Sequence, residues 1–329
     1  MLKSQWVKLA LTIIISISIV WYFLSDIDWN EFFRAIQEAD MILFIAVTVI
    51  MDLTFWVIPV IFNVWSLKWW HNYQLNFKEF FWVKGGLNLP GIINGTLMVA
   101  AVVLYVQKKS KITWSKFSGI IVYRIMIGLM VPNAGLLIVL IMSDTATIFQ
   151  NSPIPTFVFW MIGISSFYGL IDLFLYVNFR IGVVRLFMSK KHGEFWSCLE
   201  QTTNKQLILM IGLTVVSAII GMVGLWLSAI AFNVHIPWEM FFATIIFVAL
   251  LSMLPVGFSG FGTTTAAWIA FYSAYGTSES LTSLTLMMPT MGLLIKVIIA
   301  TIAFIPAMNI IKNLFAELRG DKETEDKAY

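Results

Sequence analysis

The sequence contains little charge and almost no cysteine. Only 12% of its 329 residues are Asp, Glu, Lys or Arg, whereas about 25% of the residues in an ordinary soluble domain are charged. Cys198 is the single cysteine, so an intrachain disulfide is excluded. The net charge of +3 is too small to indicate a nucleic-acid partner. No polar stretch resembles a water-soluble domain.

The sequence also lacks the motifs of common catalytic and cofactor-binding sites. It contains no phosphate-binding loop, nucleophile elbow or HExxH motif. Its histidines, His71, His192 and His235, lie in separate predicted loops, and no spacing of His, Cys and Asp indicates a metal site. We therefore expect no metal, no cofactor and no enzymatic activity. Direct ATP hydrolysis is not expected either.

What the sequence does contain is long apolar segments. Hydrophobic residues make up 59% of the chain, and the mean hydropathy is +0.86. A helix needs about 20 apolar residues to cross a bilayer. We therefore predict an all-α polytopic membrane protein with eight hydrophobic segments, at 6–24, 41–64, 80–106, 117–142, 156–178, 206–232, 239–275 and 282–311.

Two of these segments have centres that are poorly suited to a continuous helix. Residues 89–96 read LPGIINGT, and residues 254–265 read LPVGFSGFGTTT. Proline lacks an N–H and glycine permits unusual backbone dihedral angles, so both stretches allow the chain to turn. Non-helical backbone at membrane depth is tolerated where it is buried in protein or lines a wet cavity. The similarity of the two stretches is compatible with an internal repeat and with chance.

The charges of the loops distinguish between two topologies. Lys and Arg are concentrated in loops such as 107–116 and 179–205, whereas loop 25–40 carries five acids and one Arg. If every segment crosses once, basic loops fall on both sides of the membrane, against the positive-inside rule. If 80–106 and 239–275 instead enter and return, the basic loops and both termini are all cytoplasmic.

The second topology has about six full transmembrane helices and two opposed, re-entrant hairpins broken by Pro and Gly. Residues 1–312 then form a single integral membrane domain, and 313–329 form a short charged cytoplasmic tail. We place the protein in the cell (plasma) membrane. Opposed broken elements are typical of inverted-repeat transporters, in which half-helix ends meet at a central site.

Away from the ends of the predicted segments lie five charged residues: Asp52, Lys84, Arg124, Asp172 and Lys296. A charge at the bilayer centre costs about 2.5–3.5 kcal/mol on insertion scales, so these side chains should face protein or water. Arg124 and Lys296 could bind an anionic headgroup, the former through two parallel hydrogen bonds. The alternative is that they form structural pairs with the two acids. We interpret Lys84 as interfacial.

The glycine-containing breaks offer a further kind of anion site. Free N–H groups and helix N-termini could hold a phosphate there, because each N-terminus carries about half a positive charge. The alternative is that these small residues only allow helices to pack closely. The candidate substrate-binding residues are therefore Arg124, Lys296, Asn88, Gly95, Thr96, Gly260, Gly262, Thr263, Thr265 and Asp52.

These residues resemble the motifs of the flippase-like membrane protein family named for the lysylphosphatidylglycerol synthase transmembrane region. The resemblance covers roughly 5–311. It rests on an acidic segment with Asp28 and Trp29, the stretches NLPGIING and IVYRIMIGL, the stretch LPVGFSGFGTTTAAW, and a basic residue, Lys296, in the last helix.

The resemblance implies a bundle of membrane helices with re-entrant elements that moves a lipid or lipid-linked molecule between leaflets. Members are associated with aminoacylated phospholipids, isoprenoid-linked sugars and hopanoid-type lipids. The positions that match the family's motifs are Asn88, Pro90, Gly91, Gly95, Arg124, Pro255, Gly260, Gly262 and Lys296.

The chain departs from the family pattern at three positions. Thr96 and Thr265 stand where the family often has a glutamate after each glycine-rich turn, and Tyr123 stands where it has an acid. These changes argue against the family's usual ion or proton chemistry. Without a soluble aminoacyltransferase domain, lipid aminoacylation by this chain alone is not expected.

The sequence thus favours a lipid or lipid-linked-molecule transporter with an anionic headgroup site near the bilayer centre. One alternative is a non-catalytic membrane partner of a separate lipid- or glycan-modifying enzyme. Another, less favoured, is an integral membrane transferase. The expected partners are a membrane lipid or lipid-linked substrate and such an enzyme, with no nucleic acid.

Overall fold

Eleven helices and no strands are formed by the residues that the computed structural model describes, which are 28–88, 95–142, 156–179, 194–195, 197–252 and 263–325. The predicted first helix at 6–24 and the centres of both broken segments lie outside these residues. The helices are α1 Trp29–Glu38, α2 Met41–His71, α3 Phe77–Gly86, α4 Gly95–Ser110, α5 Trp114–Met142, α6 Thr156–Phe179, α7 Ser197–Gln201, α8 Asn204–Ala231, α9 Trp238–Ser252, α10 Thr263–Tyr272 and α11 Ser278–Glu325.

Long apolar helices dominate the chain. Five of the described helices are long and apolar enough to cross a membrane, and they coincide with five of the predicted segments. The prediction of an all-α integral membrane protein is therefore confirmed. The last helix, α11, continues to Glu325, beyond the predicted start of the tail at 313. The five spans are Met41–His71, Trp114–Met142, Phe157–Asn178, Asn204–Ala231 and Ser278–Lys312.

Polar side chains cap several helix starts. The first N–H groups of a helix have no partner within it, and a side-chain oxygen can accept their hydrogen bonds. Asp28 Oδ1 accepts from the Asn30 N–H at 2.8 Å at the start of α1. At the start of α8, Gln206 Oε1 accepts from the Thr203 N–H at 2.9 Å, and Thr203 Oγ1 accepts from the Gln206 N–H at 3.4 Å. This reciprocal capping box explains why α8 begins where it does.

The described residues divide into two compact units, each with its own hydrophobic core. The first unit contains the described parts of 28–51, 132–167 and 218–292. The second contains the described parts of 52–131, 168–217 and 293–325. Phe44, Phe241 and Trp268 are among the buried residues of the first core. Phe80 and Phe117 are among those of the second.

In the second unit, α3 and α4 lie side by side in opposite directions. The rings of Phe80 and Tyr105 are stacked with centroids 6.2 Å apart. Lys109 Nζ lies 3.5 Å from Glu79 Oε2. Both contacts join the beginning of α3 to the end of α4, so the chain leaves this pair where it entered. The two helices have 10 and 16 residues, fewer than the roughly 20 that a transmembrane helix needs.

In the first unit, α9 and α10 form a similar antiparallel pair. The rings of Phe241 and Tyr272 are stacked at 5.8 Å, and the hydroxyl groups of Thr244 and Tyr272 are hydrogen-bonded at 2.8 Å. These contacts again join the start of one helix to the end of the next. With 15 and 10 residues, these helices are also short for a membrane span.

Candidate functional site

A cavity of about 270 Å³ lies within the second unit. Four of the five ionisable residues singled out in the apolar segments line it, although they are far apart in the sequence. The lining residues are Asp52, Phe55, Trp56, Pro59 and Asn63 of α2, Lys84 of α3 and Asn88 after it, Met98, Val99 and Val102 of α4, Phe117, Ile121 and Arg124 of α5, and Lys296 and Ile299 of α11.

Helical periodicity explains why these residues share one cavity. On an α-helix, residues three or four positions apart lie on the same face. In α2 the lining positions 52, 56, 59 and 63 follow this spacing, as do 117, 121 and 124 in α5 and 296 and 299 in α11. Each helix therefore turns one partly polar stripe towards the same space.

Two consecutive glycines hold α3 against its neighbours. A Cβ on Gly85 would lie 2.8 Å from Ala303 Cβ and 2.9 Å from Trp56 Cζ2. A Cβ on Gly86 would lie 2.6 Å from Ala307 Cβ. Contacts this short leave no room for a side chain, so glycine is required for α3 to approach α2 and α11 this closely. The close approach fixes the position of the residues just before and after these glycines.

Lys84, which precedes the glycine pair, is anchored to the backbone of α2. Its Nζ donates a hydrogen bond to the carbonyl oxygen of Trp56 at 2.9 Å. Pro59 lies in this part of α2 and has no N–H, so the helical bond to the carbonyl of Phe55 is missing. The hydrogen bond to Trp56 holds the ammonium group of Lys84 at the wall of the cavity.

The cavity wall carries an excess of positive charge. Among the described residues that line it, the basic ones are Lys84, Arg124 and Lys296, and Asp52 is the one carboxylate. Among the described residues, no Lys or Arg nitrogen lies within 4.0 Å of an Asp52 oxygen. The structural ion pair that the sequence allowed between Asp52 and these cations is therefore not formed at contact distance.

Several polar atoms at the wall have no partner within the described part of the chain. Asp52 Oδ2, Trp56 Nε1 and Asn63 Oδ1 are buried and accept or donate no hydrogen bond there. An unpaired buried polar group costs about 1–3 kcal/mol and a charged one costs more. Such a wall is stabilised by water or by a ligand that supplies both donors and acceptors.

The remaining predicted site residues lie elsewhere. Gly95 and Thr96 begin α4, and Thr263 begins α10. Thr265 is 2% exposed in the first unit, where its Oγ1 accepts a hydrogen bond from Thr285 at 2.9 Å. The sites predicted at Gly260 and Gly262, and the family positions Pro90, Gly91 and Pro255, lie outside the described residues.

Sequence reasoning missed Trp56 and Asn63. Their spacing from Asp52, four and eleven residues, places them on the same face of α2. That spacing was visible in the sequence, but the partner helices that close the cavity were not. Asp172, the fifth ionisable residue, is buried in α6 of the same unit and makes interactions of its own. Within the described residues, no group of three or more His, Cys, Asp or Glu could hold a metal ion.

Most of the chain matches the model of one protein family. The family model described as the lysylphosphatidylglycerol synthase TM region matches residues 7–300. Comparisons with curated proteins and with solved structures gave no significant match. The match spans most of the apolar helices and includes all the residues that line the cavity. The chain therefore belongs to the family of the lysylphosphatidylglycerol synthase TM region.

Proposed function

We propose that this protein moves a lipid or lipid-linked molecule between the leaflets of the membrane, with the anionic headgroup of that molecule bound in the cavity of the second unit. The observation that carries the proposal is the convergence of Lys84, Arg124 and Lys296 on one cavity, in which Asp52 is the one carboxylate among the described lining residues. Membership of a family of lipid-handling membrane proteins is consistent with it. The proposed role is transport without catalysis.

The size of the cavity fits a headgroup and not a whole lipid. Ligand pockets usually measure about 300–1,000 Å³, and this cavity of about 270 Å³ lies just below that range. Two apolar lining residues are partly exposed, Phe55 at 48% and Val99 at 43%. In a bilayer these surfaces face acyl chains, so the tails of the substrate can remain in lipid while the headgroup occupies the cavity.

The first two turns of α4 add a positive end to the site. Met98, Val99 and Val102 line the cavity, and α4 begins at Gly95. The N-terminus of a helix carries roughly half a positive charge and unpaired N–H groups. A phosphate in the cavity therefore experiences this field in addition to that of the three cations.

The re-entrant topology is part of the proposal, and loop contacts in the second unit support it. Tyr73 Oη donates to the carbonyl of Lys109 at 3.1 Å, which brings the loops before and after the segment 80–106 together. If that segment crossed the membrane once, these loops would be about 30 Å apart. They are adjacent, as expected for a chain that enters and returns.

Loop contacts in the first unit support the second hairpin in the same way. The His235 N–H donates to the carbonyl of Tyr275 at 3.3 Å, so the loops on both sides of 239–275 also meet. In the described residues of this unit Arg34 is the only Lys or Arg, whereas several acids flank its helices. By the positive-inside rule the basic loops of the second unit are cytoplasmic, and we propose a plasma-membrane location with both termini inside.

The test is translocation of a fluorescent phosphatidylglycerol in vesicles that contain the purified protein. We expect Arg124→Gln and Lys296→Gln each to lower the rate about tenfold, because each removes a charge-assisted hydrogen bond to the headgroup. Lys78→Gln is the matched control, since it removes the same charge from an exposed position of the same unit. A double Arg124→Gln, Lys296→Gln protein that transports at the wild-type rate would contradict the proposed site.

The same assay separates the alternative roles. A protein that accelerates translocation of no lipid, but copurifies with a lipid- or glycan-modifying enzyme, would act as a non-catalytic membrane partner. Chemical conversion of the lipid by the purified protein would indicate an integral membrane transferase. The proposed transporter yields unmodified lipid in the opposite leaflet.

A further inference from the structure

A second cavity in the second unit has a different composition from the first. Its volume is about 520 Å³, and none of the residues that the structure describes lines both cavities. It is formed by the end of α2, the turn between α4 and α5, the first turn of α5 and the end of α7. All but one of its described lining residues have side chains that can donate a hydrogen bond: Trp69, Trp70, His71, Asn72, Lys111, Thr113, Lys116 and Gln201.

Two buried polar atoms of residues that line this cavity lack partners in the described part of the chain. Trp70 is only 3% exposed, and its Nε1 is buried without a hydrogen-bond partner in the described part of the chain. The same holds for His71 Nε2. An indole N–H can only donate a hydrogen bond, so the partner that Trp70 Nε1 lacks is a hydrogen-bond acceptor. The ring of Trp70 is fixed by an edge-to-face contact with Tyr123, whose centroid is 5.4 Å away.

Positive charge surrounds these donors. Lys111 and Lys116 line the cavity, and Thr113 caps α5 there, since its Oγ1 accepts from the Lys116 N–H at 3.5 Å. The N-terminus of α5 adds its own partial positive charge. One carboxylate, Glu194, is held beside the cavity by a hydrogen bond from Thr113 Oγ1 at 3.0 Å.

The backbone of Lys111 is an additional sign that its position matters. Its φ of 56° lies in the left-handed region, which is unfavourable for residues other than glycine and asparagine. Glycine is the usual residue where a helix ends in this conformation. A lysine here keeps an ammonium group beside the cavity at the expense of backbone strain.

We propose that this second cavity binds a phosphate-type oxyanion, distinct from the headgroup held in the first cavity. An oxyanion supplies only acceptors, which is what Trp70 Nε1, the two ammonium groups and the helix N-terminus require. The volume of the cavity lies within the range of ligand pockets. The anion is either a lipid phosphate or a free phosphate, because both present the same oxygens.

The first arm of the test measures thermal unfolding of the purified protein in neutral detergent as inorganic phosphate replaces chloride at constant ionic strength. We expect phosphate to raise the unfolding temperature in a saturable way, since a ligand that binds the native state stabilises it. Trp70→Phe, Lys116→Gln and Lys111→Gly should each weaken phosphate binding about tenfold. Lys108→Gln, at an exposed position outside the cavity, should not.

Lys111→Gly separates binding from folding. Glycine removes the ammonium group and also relieves the unfavourable φ, so the ligand-free variant should be at least as stable as the wild type. Glu194→Gln should change binding in the opposite direction and strengthen it, because it removes a negative charge beside the cavity. A purely structural cluster would not give opposite effects on phosphate affinity.

The second arm uses nanodiscs of phosphatidylcholine with and without phosphatidylglycerol. Stabilisation by phosphatidylglycerol alone, lost in the same three variants, would identify a lipid headgroup as the anion, and stabilisation by phosphate alone would identify a soluble one. If the variants respond like the wild type, or if the wild type responds in neither arm, the proposal is wrong. Arg124→Gln should keep the response, so failure of the transport proposal does not affect this test.

Discussion

The buried thiol of Cys198 should resist alkylation in the folded protein. Its side chain is 0% exposed, and burial raises the pKa of the Cys198 thiol to about 12. An exposed cysteine has a pKa near 8.5. Maleimides react with the thiolate, so the ionised fraction sets an upper limit on the rate. The experiment therefore treats the native protein with a maleimide at a series of pH values and measures the rate at which Cys198 is labelled.

The expected magnitude follows from the two pKa values. At pH 7 about 3% of an exposed cysteine is thiolate, whereas the fraction for Cys198 is of the order of 10⁻⁵. Ionisation alone should slow labelling about 3,000-fold, and steric burial slows it further. Between pH 7 and 11 the rate should rise roughly tenfold per pH unit, while an exposed cysteine levels off above about pH 8.5.

The assay compares Cys198 with introduced cysteines. In a Cys198→Ala background, Lys78→Cys and Lys108→Cys place thiols at exposed positions in the first turn of α3 and the last turn of α4, which meet in the second unit. Both should label within minutes at pH 7 and, in intact cells, should be accessible from the same side of the membrane. The wild type should label only after denaturation. Rapid labelling of folded wild type, or labelling of the two introduced cysteines from opposite sides, would refute the reasoning.

Two further substitutions test the packing of each unit. Gly85→Ala should lower the unfolding temperature, because overpacking against Ala303 and Trp56 costs about 1–3 kcal/mol, which exceeds the gain of about 1 kcal/mol in helix propensity. Ala303→Gly removes one of the two clashes and should restore part of the loss, and an additive double variant would contradict this close contact. The Thr265→Glu variant should be less stable than the Thr265→Gln variant by about 3–5 kcal/mol, because this is the cost of an unpaired buried charge. Equal unfolding temperatures of the two variants would show that the carboxylate finds a partner or water.

The long helices could be predicted from hydropathy because each must bury about 20 apolar residues in lipid. Their ends could not, since polar and aromatic residues continue the helix beyond the apolar run. The predicted segment 41–64, for example, becomes Met41–His71, and the added turns contain Lys68 and three tryptophans. These extra turns matter, because Trp70 and His71 belong to the second cavity.

The candidate site was predicted in part. A charged residue inside an apolar segment is costly, which is why Asp52, Arg124 and Lys296 could be singled out before the structure was known. Lys84 could not be assigned, because its position depends on the two glycines that let α3 approach α11. Local sequence does not reveal that contact, which joins residues more than 200 positions apart.

The distribution of charge also bears on where an anionic headgroup can bind. Arg34 is the one Lys or Arg among the described residues of the first unit. Its guanidinium is already paired with the carboxylates of Glu31 and Glu38, with N–O distances of 3.3 and 2.7 Å. A phosphate held at the start of α10 would therefore depend on helix N–H groups and hydroxyls alone, and Thr265 is already engaged by Thr285. The second unit, in contrast, directs three basic side chains into one cavity. Among the described residues the second unit thus supplies the stronger field for a headgroup.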